Sequence, residues 1–461
     1  MSLSNQNAIH EYWSTKPFLG VKGFQDIMSR NKFQEIRGNL QFRPNNVDTP
    51  SIKHKDPLWH SRTILNELLK NCMSVAVVPG VATLDESSVR TKAKCRAKTY
   101  LPSKPDKYAI RFYALNCWHS LYLQNFYDNG AGNKSDLTCS ERYLQTFPQL
   151  RTLYNLSIES VSKDNTIHGM EEDKQSWLWS LQMTHMCQKS DGAQKKRLVI
   201  TDNFYTRPSL SRTVKRMSDG EIRTIGTCRL SFTGTTNRHN VQKAITMLQN
   251  KPRGSWILVA DYAFHPDHFR MKKTHDKQMK QLQKGQRRPF VPPVGDIVEN
   301  SGFIVYMDKQ PVIIHTNDLK HSMSSTFMYP EHEETVELVH GLVPLRRWTK
   351  KCNMFKQVFM APAIFVAYNV FMNGVDRMDQ LRVVNPCRRK EKKVALTMFT
   401  WVIDIVINNV FPIFKNLFPE NRMTMKQFKH QIVMNILGDQ LKQIKTLSLS
   451  SHILLQNKGG K

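Results

Sequence analysis

The chain has 461 residues, and its 67 lysines and arginines against 38 aspartates and glutamates give a formal net charge of +29. Hydrophobic residues make up 40% and charged residues 23%, which is ordinary for a globular protein and excludes wholesale disorder. Such an excess of cations favours a polyanionic partner. Nucleic acid comes before an anionic membrane surface, because each neutralised phosphate releases condensed counterions.

Cysteine spacing and hydropathy exclude further classes. The eight cysteines form no CxxC pair, so the sequence predicts no zinc finger or ribbon and favours reduced thiols of an intracellular protein. The first residues lack the basic and apolar stretches of a secretory signal. The apolar segment 396–414 contains Asp404, Asn408, Asn409 and Pro412, so we expect a buried helix rather than a membrane span.

Apolar spacing predicts a small helical unit over the first 75 or so residues. Short helices are expected within 18–43, where Ser29 resembles a cap, and an amphipathic helix is expected from Trp59 to Cys72. After this unit the spacing of apolar residues changes from that of helices to that of strands. Strands are predicted over 74–78, 81–84, 108–115, 121–127 and 198–200, with a helical region over 140–156.

This succession of strands, a helix and a further strand with a carboxylate at its tip is the order expected of an α/β sheet of the ribonuclease H kind. Residues 228–365 form a different region, with β-prone runs over 255–260, 302–306 and 312–315. Between them lies a basic tract, 272–288, which we expect to be a solvated loop or an exposed helix. The chain becomes helical again from Asp379 to Leu437.

Three acidic sites, the third with two aspartates, are candidates for chemistry, and each has a structural alternative. Asp85 ends a strand and precedes a basic stretch, but taken alone it is more typical of a turn before a solvated loop. Asp202 follows the buried run 198–200, where it could bind a ligand at the sheet edge or cap the next helix. Asp376 and Asp379 share one helix face, or simply begin an exposed helix whose dipole they complement.

Together the acidic positions suggest metal-dependent phosphodiester chemistry. Such chemistry is commonly run by two divalent ions about 3.5–4 Å apart, one activating the attacking oxygen and one stabilising the leaving oxygen. The ions need carboxylates that converge from separate elements, and hard oxygen ligands suit Mg²⁺. Two strand-end aspartates and one helical aspartate, in a strongly basic chain, would meet that requirement.

A set of short segments runs in order along most of the chain. They are His10–Trp13, Met28–Ile36, Leu84–Glu86, Tyr100–Tyr108, Thr201–Thr206, Tyr368–Asn369 and Asn373–Gln380. Each segment is weak alone, but in this order and spacing the set resembles the piggyBac-type transposases and the piggyBac transposable element-derived proteins.

The resemblance implies an α/β fold, namely a ribonuclease H-like catalytic core with an inserted β-rich domain, flanked by N- and C-terminal helical segments. The implied boundaries are 1–80 (helical part of a dimerisation and DNA-binding region), 81–228 (catalytic core), 229–365 (insertion domain), 366–383 (core, third acidic residue) and 384–461 (second helical part of the dimerisation and DNA-binding region). The catalytic and metal-binding triad would be Asp85, Asp202 and Asp376, with Asp379 as a further catalytic carboxylate and Mg²⁺ or Mn²⁺ as cofactor.

The implied function is that of a DNA transposase domain that cleaves DNA and transfers strands at TTAA sites, with hairpin ends as intermediates. The implied partners are double-stranded DNA and a second copy of the chain, in the nucleus, with neither a membrane nor a small-molecule substrate. Candidate DNA-binding residues are Arg90, Lys94, Arg96, Lys98, Lys104, Lys107, Arg346, Arg347, Arg388, Arg389, Lys390, Lys392 and Lys393. Trp348, beside Arg347, would either contact DNA or pack in the core.

Two other functions stay open. The first is a domesticated, transposon-derived protein that binds DNA or chromatin without cleaving it. The second is a two-metal nuclease that acts on RNA or on hybrids. The sequence also departs from the family pattern in two ways. Asn373 replaces the first glycine of the usual Gly-Gly-Val-Asp motif, and no cysteine follows Cys387. The cysteine-rich zinc-binding domain of many members is therefore not expected in these residues.

Overall fold

The computed structural model describes the backbone of most of the chain. The described residues are 6, 8–16, 19–43, 49–102, 107–153, 166–167, 170–171, 174–186, 196–264, 295–349, 356–384 and 391–438. The basic tract 272–288 lies outside them.

Helices occupy both ends of the described part of the chain and cover the faces of a sheet. They are α1 (Lys22–Ile27), α2 (Arg30–Asn39), α3 (Thr49–Lys55), α4 (Arg62–Val75), α5 (Cys139–Thr146), α6 (Gln149–Leu153), α7 (Lys174–His185), α8 (Pro208–Met217), α9 (Thr235–Leu248), α10 (Glu333–Leu338), α11 (Ala363–Phe371), α12 (Gly374–Val384), α13 (Val394–Leu417) and α14 (425–438). Short 3₁₀ turns lie at Ile9–Trp13, Trp59–Ser61 and Leu230–Phe232.

The strands alternate with these helices through the middle of the chain. They are β1 (Val81–Arg90), β2 (Lys98–Tyr100), β3 (Tyr108–Cys117), β4 (Leu123–Asp128), β5 (Thr166–Ile167), β6 (Met170–Glu171), β7 (Arg197–Thr201), β8 (Ile222–Thr227), β9 (Trp256–Phe264), β10 (Gly295–Met307), β11 (Pro311–Thr316), β12 (Phe327–Met328), β13 (Leu342–Trp348) and β14 (Lys356–Pro362).

One mixed sheet of ten strands organises the described residues. Its order is β12-β9-β10-β11-β8-β7-β1-β3-β2, and β4 pairs with the far side of β3. β1 is parallel to β7 and β7 is parallel to β8, whereas β3 and β4 run antiparallel to their neighbours. The predicted α/β class is confirmed at this level. The parallel strands are buried, as sheets covered on both faces require.

Most predicted elements are found in the structure. Ser29 caps α2 by accepting a hydrogen bond from the Lys32 amide at 3.3 Å, and the predicted helix after Trp59 is α4. The predicted strand 74–78 is wrong. Helix α4 runs through Val75 before an irregular segment reaches β1, because Cys72 and Met73 continue its buried stripe into the last turn.

The predicted insertion region does not form a sheet of its own. Strand β11 pairs with β8 through Ile314 and Thr227, so β9 to β12 extend the same sheet that carries Asp85 and Asp202. A separate apolar cluster beneath α9 supports this extension, with Val241 and Phe303 fully buried in it. Among the described residues of this region, only the hairpin β13–β14 forms a separate two-stranded sheet. The domain boundaries themselves stay a prediction.

Helix α13 contains the apolar segment 396–414 and packs on the sheet. Among the described residues it is the one helix long and apolar enough to cross a membrane, and half of its most apolar window is buried in the protein. Trp401 stacks on Phe112 of β3 with ring centroids 4.7 Å apart. The Asn409 amide accepts from the Leu123 N–H and donates to the Leu123 carbonyl, both at 2.8 Å. The prediction of a buried helix is confirmed by this packing.

Helices from the two ends of the chain meet beside the sheet. Asn409 of α13 also donates to the Cys72 sulfur of α4 at 3.2 Å. Burial raises the pKa of the Cys72 thiol to about 12, because the charged form is poorly solvated there. Farther along, Glu391 forms an ion pair with Arg37 of α2. The N- and C-terminal segments are therefore parts of one packed region.

Candidate active site

The parallel pairing of β1 and β7 brings two predicted aspartates together. The last paired residues are Leu84 and Thr201, so the residues that follow them, Asp85 and Asp202, lie on neighbouring strands at the same level of the sheet. Both side chains are half-buried. Strand β1 continues past this point to Arg90, whereas β7 ends at Thr201.

Asp202 begins a tight turn at the end of β7. Its Oδ1 accepts a hydrogen bond from the Phe204 amide at 2.8 Å, and its carbonyl accepts one from Thr206 Oγ1 at 2.7 Å. Helix α8 begins only at Pro208. The carboxylate therefore shapes the turn after β7 and does not cap the helix.

Helices α11 and α12 cover β1 on the face that carries Asp85. Side chains alternate along a strand, so Thr83, Asp85 and Ser87 point to one face. Thr83 Oγ1 donates to the Phe371 carbonyl at the end of α11 at 3.2 Å. Ser87 Oγ donates to Asp379 Oδ1 of α12 at 2.9 Å. Asp85 thus lies between the two points where the helices touch the strand.

Gly374 allows α12 to approach the sheet closely. A methyl group on Gly374 would overlap Thr83 Oγ1, and it would lie 3.0 Å from Thr83 Cβ and 3.2 Å from Asn116 Oδ1. The Asn116 amide donates to the Gly374 carbonyl at 2.9 Å. A glycine is therefore required here for steric reasons.

We predict that Gly374→Ala displaces α12 from β1 and lowers stability by about 1–3 kcal/mol, the usual cost of overpacking. Urea denaturation measures the loss. Gly38→Ala is the matched control, because no atom lies within 4 Å of a methyl group at that helical position, and it should be neutral or stabilising. Adding Thr83→Ala to Gly374→Ala should recover part of the loss; strictly additive costs in that double mutant would contradict the proposed overlap.

The structure gives the two helical aspartates different environments. Asp376 lies in the first turn of α12 and is exposed. Asp379 is half-buried, and its Oδ1 also accepts from Arg382 Nη2 at 3.1 Å. Because Arg382 is almost fully buried and also donates to the Ser88 carbonyl, Asp379 positions α12 against β1. These contacts favour a positioning role for Asp379 over contact with a substrate.

The described residues contain no group of three histidine, cysteine, aspartate or glutamate side chains arranged to hold one metal ion. The structure brings Asp85 and Asp202 together and places Asp376 on the helix above β1, without gathering all three. The donor set nevertheless suits a hard cation, since Mg²⁺ is usually bound by one or two carboxylates together with water and substrate phosphates.

Two tyrosines lie close enough to both aspartates to be affected by their charge. Burial, followed by the charges of Asp85, Glu86 and Asp202, raises the pKa of Tyr205 well above its ordinary value. Burial also raises the pKa of Tyr368, although the hydrogen bond with Thr227 opposes the shift. Both phenols are therefore neutral at physiological pH.

Tyr205 also marks an unsatisfied polar position. It is fully buried, and its hydroxyl has no hydrogen-bond partner among the described residues. Buried hydroxyls normally find a partner, often ordered water. A buried hydroxyl that is affected by the charge of several carboxylates is therefore consistent with bound water, or with an ion that carries water.

Comparison with known proteins identifies a similar fold. Residues 1–136 match a family model described as Transposase IS4. Among solved structures, the chain is similar to a piggyBac transposase in a cryo-EM synaptic complex with hairpin DNA, with a TM-score of 0.57 and 14% sequence identity over 96% of this chain and 69% of that chain. The chain has the fold of a piggyBac transposase. The resemblance found in the sequence is confirmed at this level, and no curated protein matches by sequence.

In the piggyBac-like fold, the described parts of two predicted basic segments lie side by side. The Lys92 amide donates to the Glu391 carbonyl at 3.3 Å, and Thr91 Oγ1 lies 3.0 Å from Thr397 Oγ1. The residues beyond β1 therefore lie beside those that precede α13. The exposed predicted DNA-binding residues are Arg90, Lys94, Arg96, Lys107, Arg346, Lys392 and Lys393.

The remaining predicted DNA-binding residues differ from this group. Lys104, Arg388, Arg389 and Lys390 lie outside the described residues. Lys98 is half-buried, with its ammonium 5.5 Å from the centre of the Tyr108 ring. Arg347 is half-buried and donates to Asn369 Oδ1 at 2.8 Å. For Arg347 these contacts favour a role in holding the hairpin β13–β14 against α11.

Sequence reasoning missed the buried arginine of β3. Arg111 is 1% exposed and donates to Ser88 Oγ at 2.8 Å and to Glu86 Oε2 at 3.4 Å. It therefore compensates the charge of Glu86 inside the piggyBac-like core. An arginine in the middle of the apolar run 108–115 was the available signal, since buried arginines are rare unless they are paired.

Proposed function

We propose that this chain is a piggyBac-like DNA transposase domain that cleaves DNA and transfers strands at TTAA sites. Asp85 and Asp202 would hold a divalent ion, and Asp376 would join them from α12. The bound metal would polarise the phosphodiester and activate the attacking oxygen. The parallel pairing that sets Asp85 beside Asp202, beneath α11 and α12, carries the proposal.

Strand order supports a ribonuclease H-like core for this domain. The strands β4, β3, β1, β7 and β8 are consecutive neighbours, the first three antiparallel and the last three parallel. Together with the match to a transposase family model and the likeness to a transposase solved with hairpin DNA, this order makes DNA the favoured substrate. Exposed cations beyond the end of β1 would contact the phosphate backbone.

The test is cleavage of a TTAA-containing DNA duplex by the purified chain. We expect nicks in Mg²⁺ or Mn²⁺ that disappear when EDTA removes the metal and that decrease when TTAA is scrambled. RNA and hybrid duplexes of the same sequence should be cut more slowly. A preference for RNA would support the nuclease alternative, and equal cutting of the scrambled duplex would contradict the TTAA assignment.

The second candidate function is DNA binding without cleavage. The exposed position of Asp376, and the lack of a three-carboxylate cluster among the described residues, favour it. A domesticated protein of this kind would bind duplex DNA with an affinity that falls steeply with salt. It would show no metal-dependent nicking under the same conditions.

A further inference from the structure

The hairpin β13–β14 displays a tryptophan on its outer face. Trp348 is 63% exposed, whereas most tryptophans are largely buried. Its cross-strand partner is Lys356, whose ammonium lies 4.8 Å from the centre of the tryptophan ring. Such an exposed ring with a cation against it calls for an explanation other than core packing.

The rest of this outer face is apolar or cationic. Arg346 and its cross-strand partner Val358 point outward beside the tryptophan, as do Pro344 and its partner Met360. Val358 and Met360 are 54% and 50% exposed. Neither strand contains an acidic residue. The outer face therefore presents an aromatic ring, apolar side chains and two cations, and neither strand carries a negative charge that would compensate them.

A cavity of about 390 Å³ opens beside the tryptophan. Its lining is Arg253, Asp308, Lys309, Gln310, Val312, Arg347 and Trp348. Asp308 forms ion pairs with Arg253 and Arg347, so Lys309 adds a further positive charge at the rim. The volume is in the range of small-ligand sites and can receive one planar group next to the ring.

We propose that the outer face of β13–β14 is a stacking site for an unpaired DNA base. The base stacks on Trp348, and the flanking phosphates contact Lys356 and Arg346. Stacking on an aromatic ring requires a base that is not inside a duplex, because only then is its flat face accessible. The inference rests on DNA being the substrate of the proposed function and adds where unpaired nucleotides bind.

Helix α11 connects this surface to the candidate active site. Asn369 accepts the hydrogen bond from Arg347 of β13, and the preceding residue, Tyr368, bonds to Thr227 near Asp85 and Asp202. α11 has nine residues and is about 14 Å long at 1.5 Å per residue. A base stacked on Trp348 would therefore be held within a few nucleotides of the carboxylates.

Charge favours DNA over a protein partner on this face. A protein interface of ordinary size buries about 800 Å² per partner and is depleted in lysine. The described outer face presents six side chains, two of them cations, in a chain of net charge +29. Its size and charge suit one or two nucleotides better than a folded partner.

The test is binding of a fluorescently labelled single-stranded oligonucleotide in EDTA, measured by anisotropy. Trp348→Ala should weaken binding by roughly 5- to 150-fold, the range for loss of one stacked base. Trp348→Phe should retain most of the affinity. Binding to a blunt, fully paired duplex should change less than twofold in either variant. Ile436→Ala, on α14, is the control for loss of an exposed apolar side chain and should bind like the wild type.

Three results would overturn the inference: no binding of single strands by the wild type, equal binding by Trp348→Ala, or equal weakening for single strands and duplex. Self-association lost in Trp348→Ala, with DNA binding unchanged, would instead identify an interface between copies. The binding assay contains no metal. A failure of the nicking experiment would therefore refute the proposed function without changing the measured binding of single strands.

Discussion

Asp202→Asn is expected to abolish metal-dependent nicking while leaving the fold and DNA binding intact. The carboxylate is half-buried beside Asp85 at the end of β7, and replacing it with an amide removes a charged ligand for the cation. Mutating a residue that only hydrogen-bonds to a metal's ligands already lowers metal affinity or activity by about 10- to 100-fold. For a ligand itself we therefore expect at least about a 100-fold lower rate. The measurement is the initial rate of nicking of the TTAA duplex.

The substitution is conservative for folding. An asparagine Oδ1 can still accept the hydrogen bond that the Phe204 amide donates to Asp202. The matched control is Asp219→Asn, which removes one charge at the end of α8, near the start of β8 and away from Asp202. Asp219 is exposed and has a positive φ of 47°, a conformation that asparagine tolerates. Nicking that survives in Asp202→Asn, or falls equally in both variants, would contradict the assignment.

Asp128→Asn is expected to have the largest effect on stability. Asp128 ends β4 and is 5% exposed, and its carboxylate bonds to Arg62 Nη1 at 2.7 Å and to Arg142 Nη2 at 3.5 Å. Burial alone would raise the pKa of Asp128, but the charge of Arg62 and then that of Arg142 outweigh it and hold the pKa well below its usual range. Removing the carboxylate takes the ion pair from the largely buried Arg142 and leaves Arg62 paired with Asp56 alone, and it should cost about 3–5 kcal/mol at pH 7.

The sign of the pH dependence follows from the lowered pKa. A carboxyl group that is more acidic in the folded state stabilises the fold above its unfolded pKa of about 3.9, and this stabilisation is lost as the pH falls. Urea denaturation should therefore show the full difference in unfolding free energy between wild type and Asp128→Asn at pH 7. That difference should become smaller below about pH 4. Asp136→Asn is the control, because that side chain is 94% exposed and lies 3.8 Å from Lys55. A constant difference down to pH 2 would contradict this account.

Local patterns in the sequence predicted the elements well. Short β-prone or apolar runs located β1, β3, β4 and β7, and helical spacing located α4 and α13. The exception at 74–78 shows the limit of such patterns. A short run such as Ser74 to Val78 fits either period, and the buried stripe of the preceding helix decided its start.

The candidate site was only partly predictable. The aspartates stood out as strand-end or helix-start residues. Nothing local showed that Tyr205 would be buried within reach of their charge, or that Asp379 would be held by Arg382. The exposure of Trp348 was equally hidden, since its sequence neighbours fit a surface or a core position. These features depend on which elements pack against one another.

The amino-acid sequence alone determined the types and order of most elements, the strong positive charge and the identity of the acidic residues. Those properties depend on side chains within a few positions of one another. The tertiary structure decided that β1 lies beside β7, that α12 approaches β1 through Gly374, and that β9 to β12 lengthen the same sheet. Distant strands pair when the apolar surface buried on whole faces outweighs the entropy lost in closing long loops. Both quantities depend on residues far apart in the chain, so a local pattern cannot predict the pairing.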